Sequence, residues 1–172
     1  MTSSTDLLID AFSRIGRVVH ATLDGLSTAA LTYRIDDEAN TVAWLVWHLA
    51  RIQDAQIADV AASEQVWTGE GWAERFGLPF DDSATGYGQS SDEVAAVQVD
   101  GPELLTGYLD AVQQASITFV GGLTDDDLDR VVDRSFSPPV TLAVRLISVI
   151  SDDLQHAGQA AFVAGVAVRD GH

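Results

Sequence analysis

Apolar residues recur along most of this chain at steps of three and four, the spacing that gathers side chains on one face of an α-helix. Leu8, Phe12, Ile15, Val19, Leu23 and Leu26 form one such stripe. They predict a first helix from about Asp6 to Leu26, with Ser4 or Thr5 as its cap and Gly25 near its end. A second helix is expected from about Asn40 to Ala62, with Asn40 as N-cap. Its apolar positions are Val42, Leu45, Leu49, Ile52 and Ile57, and Trp44 and Trp47 widen the buried face. Pro102 suits the first turn of a third helix, whose core side is marked by Leu104, Leu105, Tyr108, Leu109, Val112 and Phe119. Gly121-Gly122 ends it. Thr124 followed by three aspartates reads as a cap opening a short turn, and Ser137-Pro138-Pro139 is a break. The fourth helix runs from about Thr141 to Gly165, with Leu142, Leu146, Ile150, Leu154 and Phe162 apolar. No strand alternation persists long enough to build a sheet.

Ser63 to Gly101 breaks this rhythm. It holds Gly69, Gly71, Gly77, Gly86 and Gly88 together with Trp67, Trp72, Phe76, Phe80 and Tyr87. A connection this long is unusual in a compact domain unless it is functional or carries short helices, and Ser91 to Val97 could be one. Four helices of roughly 20–25 residues, each ~30 Å long, fit an all-α four-helix bundle in a single domain spanning residues 1–172. A short first link makes the first two helices antiparallel. The long second link can cross the bundle, so the expected order is up-down-down-up.

Charge narrows the function. Asp plus Glu total 26 against nine basic residues, a formal net charge of -17. Nucleic acid and anionic membrane surfaces are excluded as partners, because both are bound by clustered Lys and Arg. All nine basic residues are Arg, so there is no Lys for a Schiff base. There is no Cys for a disulfide, a thiolate metal site or a sulfur nucleophile. The chain opens without the basic start and apolar stretch of a signal peptide, and no apolar run approaches the ~18 residues of a membrane span. A cytoplasmic protein is the expectation.

Four histidines carry the candidate chemistry. His172 is the last residue. His20 shares its helix face with Ile9, Ser13, Gly16 and Asp24 and reads as a surface residue. His48 has Trp44, Leu45, Arg51 and Ile52 as helical neighbours, which puts its imidazole on or beside a buried face. Asp152 and His156 are four residues apart, one above the other on a helix, a spacing at which two side chains can hold one metal ion. His48 is the best third ligand. Two histidines and a carboxylate suit a divalent ion, zinc first, then nickel, manganese or iron(II), with positions left open for water or substrate. The same residues have plainer readings. His48 could be a satisfied core histidine, and Asp152 could pair with Arg145 or with a protonated His156. Asp153 could take the ligand role instead.

At these residues the chain resembles a family. Trp44-Leu45-Val46-Trp47-His48-Leu49-Ala50-Arg51 is similar to the histidine-bearing second helix of the DinB-like (YfiT-like) superfamily of metalloenzymes. Asp152 to Gln159 is similar to its fourth-helix signature. The resemblance covers nearly the whole chain and extends to the mycothiol-dependent maleylpyruvate isomerases. It implies a metal-binding four-helix bundle with His48, Asp152 and His156 as ligands. Asp152 departs from the pattern, which more often has histidine or the longer glutamate there.

Arg51 and Gln159 are candidates for contact with a cofactor or substrate, since Arg clamps carboxylates and an amide can orient an imidazole. Their plainer readings are a salt-bridging Arg and a surface amide. Trp67, Trp72 and Tyr87 could wall a pocket or simply pack. The resemblance implies a thiol-dependent transferase or isomerase, using mycothiol or another low-molecular-weight thiol on a small electrophilic substrate. A metal-dependent hydrolase with Asp153 or another carboxylate as base is a second reading. A metal- or ligand-binding stress-response protein without turnover is a third. A homodimer is the expected assembly, on an apolar face that keeps the negative charges apart.

Overall fold

The computed structural model describes residues 2–172, and four long helices dominate it: α1 (Ser4–Leu23), α3 (Val42–Ala61), α7 (Pro102–Gly121) and α8 (Leu142–Arg169). Each begins where local chemistry can satisfy its free amides. Ser3 and Asp6 form a reciprocal capping box on α1, one residue ahead of the expected caps. Thr41, not Asn40, caps α3, its hydroxyl accepting from the Trp44 amide at 3.0 Å. Thr141 caps α8 in the same way. Pro102 occupies the first turn of α7 as expected. α8 continues one turn beyond the expected Gly165, because the glycine is tolerated within a helix packed on its neighbours.

Shorter elements fill the connections. The link after α1 contains α2 (Thr28–Thr32), which its single turn of sequence had not announced. The long connection holds α4 (Val66–Gly69), α5 (Trp72–Phe76) and α6 (Ser91–Ala95). Thr124 and Asp127 form a capping box on a 3-10 turn, Asp125–Asp129. The expectation of no sheet needs one correction. β1 (Val131–Asp133) and β2 (Val140–Thr141) pair antiparallel on either side of the Ser137-Pro138-Pro139 tip. Pairs this short carry no alternation to read.

The helices pack as a ring in which α1 touches α7 and α8, and α3 touches the same two. Contacts between Thr5 and Leu123 and between His20 and Asp110 make α1 and α7 antiparallel. Those between Gln56 and Arg145 and between His48 and His156 do the same for α3 and α8. The core is built from Phe12, Ile15 and Val19 of α1, Leu45 and Leu49 of α3, Leu105 and Leu109 of α7, and Leu142 and Leu146 of α8. Leu154 and Phe162, two of the apolar positions of the expected fourth helix, are 42% and 64% exposed. α8 is therefore apolar on two faces, and only one of them meets the core.

The long connection is fastened to this body by α3. Asp54 accepts from the Val66 and Trp67 amides at 2.9 and 2.7 Å and so caps α4. Trp67, Trp72 and Phe76 close around Tyr108, with ring centroids 5.1, 5.7 and 5.8 Å from it. A β-carbon on Gly107 would sit 2.8 Å from the Trp72 ring, so the glycine lets that ring lie against α7.

Candidate metal centre

His48 lies in the middle of α3, and Asp152 and His156 lie one turn apart on the antiparallel α8. One ligand atom from each of the three falls within 4.8 Å of the other two. The imidazoles meet edge to face with centroids 4.8 Å apart. Trp44, one turn before His48, stacks on its ring at 4.5 Å and holds its plane.

Both imidazoles are fixed from behind. His48 Nδ1 lies 2.5 Å from the Thr85 carbonyl oxygen. A carbonyl can only accept, so Nδ1 carries the proton and Nε2 keeps its lone pair. His156 Nδ1 donates to Gln159 Oε1 at 2.7 Å, which leaves its Nε2 in the same state. This is the arrangement in which a second hydrogen bond sets the tautomer of a ligating histidine. Asp152 Oδ1 is 3.6 Å from His156 Nε2, an ion-pair distance too long for a hydrogen bond. Asp152 Oδ2 is buried with no partner. Two imidazole lone pairs and a carboxylate, one ligand atom of each within 4.8 Å of the others, are a donor set that fits a divalent cation.

The electrostatics separate the two imidazoles. Pairing with Asp152 raises the His156 pKa against the opposing effect of burial. The same pairing holds Asp152 below the usual carboxylate range. Burial lowers the His48 pKa, and the Thr85 carbonyl pushes it partly back. His48 is thus held neutral, the form that binds metal.

The acidic neighbour resolves differently. Asp153 is fully buried, and neither of its carboxyl oxygens has a partner. Burial, with Asp152 beside it, pushes its pKa well above the usual range. It stands outside the three-residue group and is buried in the interior, so it is no solvent-facing base.

The other candidates also find their places. Gln159 orients His156 and lines an open cleft of about 580 Å³ with Asn40, Leu45, Gln155 and Phe162. Arg51 does not reach that cleft. It is 0% exposed, and its guanidinium donates to the Ala84 and Asp82 carbonyls, Gln65 Oε1 and the Tyr108 hydroxyl. Its work is to pin the connection that carries Thr85. Arg145 turns to Asp133 and Gln56, away from Asp152. Trp67 and Trp72 are packing residues, whereas Tyr87 is 90% exposed and borders a second hollow of about 400 Å³ beside Thr85. His20 pairs with Asp110 on the surface at 2.7 Å, and His172 packs against Tyr33.

Thr85 and Gly86 are site residues that sequence reasoning missed. Gly86 has φ +94°, and a β-carbon there would stand 2.6 Å from His48 Nδ1 and 3.1 Å from the rings of Trp44 and Trp47. The only advance signal was the pair of glycines around Tyr87.

This is an all-α protein with a two-histidine, one-aspartate group held between antiparallel helices. The chain belongs to the DinB superfamily, whose family model matches residues 11–160. A solved structure described as the conserved protein of locus from Enterococcus faecalis is similar throughout. It is 29% identical, has a TM-score of 0.91, and the match covers 98% of this chain and 99% of that one. No curated protein matches this chain. No helix among the described residues is long and apolar enough to cross a membrane.

Proposed function

We propose that the protein is a metal-dependent enzyme in which His48, Asp152 and His156 hold a divalent ion, zinc foremost, and that it acts with an external low-molecular-weight thiol of the mycothiol type as a transferase or isomerase. One observation carries the metal reading: both histidines have Nδ1 tied back, to Thr85 and to Gln159, and one ligand atom from each of them and from Asp152 lies within 4.8 Å of the other two. When bound, the ion would supply Lewis acidity, lowering the pKa of a thiol or water that reaches it and polarising a carbonyl group.

The chain's own residues account for the rest. Three protein ligands leave positions open, as in catalytic and not structural zinc sites. Trp44 shields one side of the pair from water. The cleft lined by Gln159 and Phe162 gives a small electrophile both an amide and an aromatic surface beside the group. Thiol dependence rests on the family resemblance and on the absence of any cysteine, which leaves sulfur chemistry to an outside donor.

Elemental analysis of the purified protein beside His48→Ala and His156→Ala tests the metal. About one ion per chain is expected in the wild type and almost none in the variants. Equal trace metal in all three overturns the proposal. Consumption of an electrophile only after a thiol is added supports the transferase reading. Ester or amide hydrolysis with no thiol would favour a hydrolase, and tight metal without turnover in either assay would favour a binding protein.

A further inference from the structure

The amide of Gln159 has two ends, and its bond to His156 fixes which of them is left for a ligand. Its Oε1 accepts from His156 Nδ1 at 2.7 Å. The other end of the amide is an NH2 group with two donors, and among the described residues Gln159 Nε2 has no partner. Gln159 is exposed and lines the cleft of about 580 Å³ beside the metal group. The bond that orients His156 therefore also holds a free N–H donor at the cleft.

The rest of the lining is uncharged or acidic. Leu45 and Val163 are buried and give it an apolar floor, and the exposed Phe162 ring stands beside them. Asn40 adds a second amide. Gln155 turns its Nε2 back to the Ser151 carbonyl at 3.0 Å, which leaves its Oε1 as an acceptor. Glu38 is the one charged residue of the lining, and it follows Asp36 and Asp37 in the chain. Arg34 reaches the wall at the Ala39 carbonyl, 2.6 Å from its Nε, but its other nitrogens are committed to the Ser91 carbonyl and hydroxyl at 3.3 and 3.0 Å. Arg51, the carboxylate clamp that the sequence offered, is buried against the long connection. A carboxylate entering this cleft meets an acidic rim on a chain of net charge -17 and loses water without gaining a cation. A neutral carbonyl oxygen meets the Gln159 donor.

We infer that the cleft takes an uncharged carbonyl compound with an apolar or aromatic arm, its oxygen accepting from Gln159 Nε2 and its arm lying on Leu45, Phe162 and Val163, and that it rejects the corresponding carboxylate. Gln159 then determines specificity as well as positioning His156. The inference names the substrate class of the reaction proposed above and rests on that reading for what becomes of the compound; the selection itself belongs to the cleft.

Benzylideneacetone and cinnamate share a phenyl ring and a double bond and differ by a methyl ketone against a carboxylate, so the pair isolates the charge. The chain has no cysteine for the enone to alkylate. Binding to the purified full chain, with no thiol present, is measured by ligand-observed NMR titration. The enone should bind at least about tenfold more tightly than cinnamate. Gln159→Glu keeps an acceptor for His156 Nδ1 and removes the donor, so it should retain the metal content of the wild type and lose about tenfold in enone affinity. Gln155→Arg places a cation on the lining at an exposed helical position and should raise cinnamate affinity by about tenfold. Elemental analysis of the same samples reports on the metal separately, because no turnover enters the titration: a metal-free wild type that still prefers the enone would sink the metal reading and leave the selectivity standing. Cinnamate binding as tight as the enone, no enone binding, a Gln159→Glu protein with undiminished enone affinity, or a Gln155→Arg protein with no gain for cinnamate would overturn the inference.

Discussion

Replacing Arg51 by Met tests how the site is held. The side chain is fully buried, lies 3.5 Å from the Asp54 carboxylate and covers the Trp67 ring at 4.8 Å. Met fills similar volume, so the loss is electrostatic and not a cavity. Removing one partner of a buried ion pair costs about 3–5 kcal/mol. Asp54 would keep the Val66 and Trp67 amides and the Tyr108 hydroxyl, which places the expected cost at the lower end. The Ala84 and Asp82 carbonyls lose their donor and add to it. A destabilisation of about 3 kcal/mol follows, or about 6–12 °C in melting temperature for a chain of this length. It should be measured by urea unfolding in the presence of a chelator, so that metal binding does not enter the balance. Metal affinity should fall as well, because Ala84 precedes the residue whose carbonyl sets the His48 tautomer. Arg51→Lys should recover only part of either loss, since one ammonium cannot reach four acceptors. An Arg51→Met protein within about 1 kcal/mol of wild type, with metal fully retained, would refute the pinning role.

Further outcomes follow from the site. Asp152→Asn should lose metal while Asp153→Asn keeps it, read by elemental analysis; the reverse would exchange their roles. Gly86→Ala should displace His48 and cost about 1–3 kcal/mol, from the left-handed backbone and the contact at 2.6 Å; unchanged urea stability and metal content would show that the loop simply relaxes. Asp153→Leu should stabilise the fold by about 1–3 kcal/mol, because it replaces a buried carboxyl with no partner; a lower melting temperature would reveal a partner for that group. Metal affinity by competition titration should fall as pH drops, since the raised His156 pKa lets protons compete from above the ordinary histidine value of 6.5. In the metal-free protein the His156 contribution to stability has the opposite sense: present below its unfolded pKa and lost as pH rises through the folded one. The Asp152 contribution is lost as pH falls through its lowered value.

The long helices were legible because each repeats one signal many times. A stripe of six apolar residues survives an error at either end, and the cap errors were of one residue: Ser3 for Ser4, and Thr41 for Asn40. The elements that escaped were those too short to repeat anything, namely α2 and the paired strands β1 and β2. Leu154 and Phe162 show a different limit. Periodicity says that a residue is apolar and where it stands on the helix, but not whether the surface it faces is the core or the solvent. α8 carries both kinds of face, and the sequence alone merges them into one helix with too many apolar positions.

The site divides along the same physical line. Asp152 and His156 could be paired from spacing because a helix fixes the geometry between positions four apart. His48 could be added because few histidines compete for the place. Arg51, one turn along from His48, had the same helical credentials and a different fate: it lies fully buried against carbonyls of the connection. What separates the two is not their place on α3 but the path of residues 82–86 across it, and those groups act through backbone carbonyls that any residue type supplies. A side chain that coordinates must be of a particular chemistry and leaves a mark in the sequence. A carbonyl that orients it leaves none, except where the approach is so close that only glycine fits. Gly86 is that mark, and it locates the part of the centre that α3 and α8 alone do not build.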